Sequence, residues 1–181
     1  MIATSIGAVS LTNVVEVFFV RGVLHASPTV FGLLMSVWTA TMIVGGWLLA
    51  RRKLHDGALG TAMTVMLATT CAVLAGAAGV PSAGWLFGLW IVGGLANGGL
   101  NTVAGVLLGR RVPAQARGRA QARVGAAISG ANLFGFALGG VLLSLATPRV
   151  LLLAAGLAGF AVVVAFAPRV HRAGRRYGGQ S

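Results

Sequence analysis

The sequence predicts an all-α membrane protein with six transmembrane helices. Three observations carry that prediction. Six apolar stretches, each near the roughly 20 residues needed to cross a bilayer, alternate with short loops. Only 9% of residues are charged and 57% are hydrophobic, against about 25% charged in a soluble domain, and mean hydropathy is +0.90. Third, the positive charge falls in every second loop and in the tail. Of the 14 Lys and Arg, three are Arg51, Arg52 and Lys53, five are Arg110, Arg111, Arg117, Arg119 and Arg123, and four are Arg169, Arg172, Arg175 and Arg176. Only Arg21 and Arg149 lie in the intervening loops. Short cytoplasmic loops carry excess Lys/Arg, so the basic side is expected to face the cytoplasm. An even number of spans puts both termini on that side. The expected location is the cell inner (plasma) membrane.

The first span, about residues 2–20, is the most polar, with Ser10, Thr12, Asn13 and Glu16. It lacks a basic start and a small-residue cleavage site, so it reads as a retained span. After a short loop, Ser27 followed by Pro28 reads as an N-cap with proline at the first helical position. The second span follows, about residues 29–50, closed by the basic cluster at 51–53. The third, about 58–79, is rich in Ala and Thr. Residues 80–84 (VPSAG) form a tight turn. The fourth span is about 85–108. Residues 109–121 are the longest loop, basic, with Pro113 and Gly118. The fifth span, about 122–146, ends at a turn containing Pro148, and the sixth is about 150–167. The bundle is thus one domain over residues 1–168, and the basic, glycine-rich tail at 169–181 is expected to be mobile.

The net charge of +12 does not indicate a nucleic-acid partner. It flanks apolar segments too long for a soluble core, and its natural contacts are anionic head groups of membrane lipid. Cys71 is the only cysteine, so no intramolecular disulfide is possible. His25, His55 and His171 fall in loops or the tail without metal-ligand spacing, and no metal or cofactor is expected. An intramembrane serine protease needs a histidine at membrane depth, and there is none. The chain does not read as an enzyme.

Five polar positions are candidates for a substrate or proton pathway. Glu16 is the only acid inside a span, and such residues usually face a bundle interior or a water-filled cavity. It reads either as a protonatable carboxylate coupling proton movement to export, or as an acid hydrated near the outer interface beside Arg21. Asn13 precedes Glu16 by three residues, about one turn. Asn97 and Asn101 are four apart on one helix face, and Asn132 lies in the fifth span. These amides read either as cavity lining or as interhelical hydrogen bonds. Gly94 with Gly98, and Gly135 with Gly139, are small-residue pairs that let helix backbones approach closely. The run 93–99 (GGLANGG) also reads as a candidate hinge.

Three stretches resemble the major facilitator superfamily of transporters, its efflux branches best. Residues 18–34 (FFVRGVLHASPTVFGLL) resemble the junction between the family's seventh and eighth helices. Residues 111–120 (RVPAQARGRA) look like the loop between helices ten and eleven, which typically reads V-P-x-E-x-R-G-R; Pro113, Arg117, Gly118 and Arg119 match, and Gln115 replaces the acid. Residues 46–53 (GWLLARRK) resemble the second-half copy of the loop motif G-x-x-x-D-x-x-G-R-R/K, with Gly46, Arg51 and Arg52 present and Ala50 at the acid's place. The resemblance implies the C-terminal six-helix half of a twelve-helix bundle. It implies two bundles rocking about a central site, lined here by the polar faces of the first and fourth spans. The implied activity is proton-coupled efflux of a small molecule, and an apolar cavity suits a hydrophobic drug or metabolite. The implied partner is a second six-helix half, separately encoded or supplied by homodimerisation. The alternatives are a truncated or remnant copy without transport of its own, and a small structural or regulatory membrane protein.

Overall fold

The computed structural model describes residues 15–52 and 56–177, and all regular structure among them is helical. Residues 15–18 are helical and run into a π-turn, Phe19–Val23. Five long helices follow: α1 (Pro28–Ala50), α2 (Asp56–Ala77), α3 (Ala83–Arg111), α4 (Ala114–Leu145) and α5 (Pro148–Tyr177). Each is long and apolar enough to cross a membrane. At ~1.5 Å per residue, even the 22-residue α2 exceeds a ~30 Å hydrocarbon layer.

The predicted start of α1 forms. Ser27 is extended (ψ 158°), its Oγ accepts the Val30 N–H at 3.3 Å, and Pro28 occupies the first turn. Inside the helices, Ser36, Thr39, Thr41, Thr64, Thr69 and Thr70 each donate to the carbonyl four residues earlier. Their hydroxyls need no partner from lipid.

The helices form a row in the order α1, α3, α2, α5. Contacts rise together along α1 and α3, so these two are parallel; α2 is antiparallel to both α3 and α5. The α1–α3 seam is the closest approach. A Cβ at Gly98 would overlap the Met42 carbonyl oxygen and stand 2.7 Å from its carbon, and one at Gly94 would stand 2.7 Å from the Trp38 carbonyl oxygen. The seam is therefore backbone against backbone.

One end of the bundle carries Arg51, Arg52, Arg117 and Arg119 and is called the basic end; the opposite end is the far end. The main hydrophobic cluster lies at the far end. Val15, Phe19 and Val20 meet Leu34 of α1, Ala77 at the end of α2, Ala78 and Val80 just after it, Leu86 and Trp90 of α3, and Leu151 and Leu152 of α5. Helix α4 joins this cluster through Leu142 and Leu143 and otherwise meets α3 and α5 sparsely. It presents Leu133, Phe134, Leu138, Val141 and Leu145 outward.

Two stretches expected as loop and mobile tail are helical. Helix α3 continues to Arg111, and only Val112 and Pro113 separate it from α4, so residues 114–121 are helix. The extended Val112 (φ −110°, ψ 126°) is what a residue before proline adopts, and it ends α3. The Ala, Gln and Arg that follow are good helix formers and restart it. Likewise α5 does not stop at Pro168, the residue expected to close the sixth span, but runs through it and residues 169–177 to Tyr177; a proline inside a helix forfeits one backbone hydrogen bond, and here the helix continues past it.

Candidate functional site

Glu16 is one turn before Phe19. Its neighbours on either side of the face, Val15 and Phe19, are 1% and 0% exposed, and their burial anchors the turn against the far-end cluster. The carboxylate meets α3: the Trp90 indole Nε1–H donates to Glu16 Oε1 at 3.1 Å. Trp90, 1% exposed, is itself held from α1. The Trp38 ring meets it edge-on with centroids 6.0 Å apart and planes at 65°. The Thr41 hydroxyl, bonded to Val37 O at 2.8 Å, also reaches Trp90 O at 3.5 Å. The site is thus a carboxylate set on an aromatic pair inside three elements. A carboxylate so placed accepts hydrogen bonds when ionised and donates one when protonated, so its proton state changes what it does to Trp90.

Nothing in the spacing of the sequence pairs Trp90 with Glu16. Depth gives the missing signal. Glu16 lies about seven residues before the end of the π-turn and Trp90 about seven after the start of α3, so each sits ~10 Å from the far end.

The other sequence candidates divide. Asn13 lies outside the described residues. Asn101 donates through Nδ2 to Asn97 Oδ1 at 3.0 Å, so the two amides satisfy one another along α3; Asn101 is exposed and Asn97 half-buried. Asn97 follows Trp90 by seven residues, on the same stripe of α3 but ~10 Å nearer the basic end. Asn132 is half-buried on α4 and already engaged. Gly94 and Gly98 sit in the α1–α3 seam, while Gly135 and Gly139 are buried on α4.

At the basic end, Gly46 accepts from Thr102 Oγ1 at 3.4 Å. The Arg51 guanidinium lies 3.6 Å over the Trp47 ring, a cation–π contact on the outer surface. Arg52, Pro113, Gly118 and Arg119 are exposed. Arg117 turns back onto the end of α3: Nε donates to Val112 O at 3.2 Å and Nη2 to Gly109 O at 2.8 Å. The C-terminus of a helix carries partial negative charge and unpaired carbonyls, and a planar guanidinium serves both needs. With Gln115 in place of the acid, the fork is taken up by backbone.

Among the described residues, no group of three or more His, Cys, Asp or Glu is placed to hold a metal ion. A model of the Major Facilitator Superfamily matches residues 1–180. Searches of curated proteins and of solved structures found no match.

Proposed function

The chain belongs to the major facilitator superfamily, a family of membrane transporters of small molecules, and from that premise we propose that it serves as the C-terminal six-helix half of a proton-coupled exporter of a hydrophobic drug or metabolite. The observation that carries the coupling is the Glu16 carboxylate held by the Trp90 indole. An ionisable group at membrane depth is costly, and its usual justification is a proton or substrate pathway. The order of the three family-like stretches supports the assignment to the second half. The basic end then faces the cytoplasm of a plasma membrane, with both termini on that side. The second half of the bundle, another polypeptide or a second copy, is the partner, and the exposed apolar residues of α4 offer it a surface.

Flux in proteoliposomes under an imposed proton gradient tests the coupling. Glu16→Gln keeps shape and hydrogen bonding but cannot ionise. The gradient-driven component of flux should vanish and its pH dependence flatten. A variant that still responds fully to the gradient sinks the assignment of Glu16. A C-terminal tag at the native locus tests the half-transporter reading: a band near 18.3 kDa supports it, and one near twice that mass means a longer chain.

A further inference from the structure

Arg149 is one of the two cations outside the basic clusters, and it occupies an unfavourable place. It is the second residue of α5, where the helix N-terminus carries partial positive charge and disfavours a cation. Two contacts hold it there. Nη2 donates to the Val80 carbonyl at 3.2 Å, in the turn between α2 and α3. The guanidinium also lies 5.9 Å from the centroid of the Phe19 ring, the first residue of the π-turn. Phe19 is fully buried, as is Val20 beside it.

One side chain therefore connects three segments distant in sequence. We propose that Arg149 is a positioning residue, the clasp that fastens the π-turn to the α2–α3 turn. It holds the far end closed and keeps Glu16 seated on Trp90.

The π-turn needs such a fastening. Its wide turn is closed by the Leu24 N–H bonding to Phe19 O at 3.0 Å, a five-residue spacing that occurs mostly as single turns. Two residues on, His25 takes a positive φ of 50°, uncommon for a side-chain-bearing residue. A segment with this backbone depends on tertiary contacts to stay in place. The Phe19 ring offers a cation the partially negative face of its quadrupole, and the Val80 carbonyl gives a directional bond. Of the chain's two acids, Asp56 opens α2 at the basic end and Glu16 is bonded to Trp90, and the contacts that hold Arg149 are the Val80 carbonyl and the Phe19 ring.

Thiol labelling of the full chain in lipid nanodiscs, where reagent reaches both faces, tests the clasp. Cys71→Ala removes the native thiol. Val20→Cys then reports on the π-turn, and Val103→Cys, equally buried on α3 but toward the basic end, reports on the rest of the bundle. Adding Arg149→Ala should speed maleimide labelling of the Val20→Cys thiol by about tenfold, the scale of one charge-assisted hydrogen bond, and leave the Val103→Cys rate unchanged. Arg149→Lys keeps the cation and one donor for Val80, and should restore slow labelling. An unchanged Val20→Cys rate in Arg149→Ala overturns the proposal. So does an equal acceleration at Val103→Cys, which means general loosening, or a failure of Lys to rescue.

Discussion

Replacing Gly98 by alanine should separate α1 from α3, and the cost can be worked from the seam. The added Cβ would overlap the Met42 carbonyl oxygen and lie 2.7 Å from the Met42 carbonyl carbon and 2.9 Å from the Gly46 nitrogen. Carbon contacts are comfortable near 3.5–4.0 Å. All three atoms are backbone, so no rotamer change relieves the clash, and the helix axes must part by about 1 Å. That separation also lengthens the Thr102 to Gly46 and Thr41 to Trp90 contacts, already 3.4 and 3.5 Å. Overpacking of this kind costs about 1–3 kcal/mol. Alanine is a better helix former than glycine by about 0.8–1 kcal/mol, which offsets part of it. Gly105→Ala isolates the offset, since nothing lies within 4 Å of its Cβ. Thermal unfolding of the purified protein in detergent should show Gly98→Ala several degrees below Gly105→Ala, at about 2–4 °C per kcal/mol for a chain of this size. Equal melting of the two variants would refute the view that the seam is set by backbone contact.

Trp90→Phe keeps an aromatic ring but deletes the N–H and shrinks a side chain only 1% exposed, so it should lower gradient-driven flux at some cost in stability; transport at the parent rate would show that the bond to Glu16 is idle. Arg117→Ala frees the carbonyls of Gly109 and Val112. Because Arg117 is exposed, the cost should be modest, near 1 kcal/mol, and appear as faster hydrogen exchange over residues 108–116 with little change in overall melting. An exchange pattern like the parent's would mean the α3–α4 corner holds without it.

Much of this architecture is legible in the chain, because membrane helices announce themselves by length and hydropathy and need no tertiary knowledge. Ser27 and Pro28 likewise act within their own turn, through the Ser27 hydroxyl and the proline ring, and α1 starts where they put it. The misreadings have a shared cause. Hydropathy marks where lipid ends, not where a helix ends, so residues 114–121 and 169–177 read as loop and tail although both belong to helices. The α3–α4 corner escaped because its closure depends on Arg117 folding back eight residues to Gly109. The Glu16–Trp90 pair was harder still. It joins residues 74 apart, and only matched depth in two spans hints at it.

The seam between α1 and α3 carries a mechanical consequence. Where Gly45 and Gly98 bring the two backbones into contact, no soft side chain lies between them to absorb a shift, and packed interiors compress little. Any tilt imposed on α1 at the basic end reaches Trp38, and so Trp90, without being damped. The two helices travel as a single girder. Helix α4 meets its described neighbours sparsely and is no part of that girder.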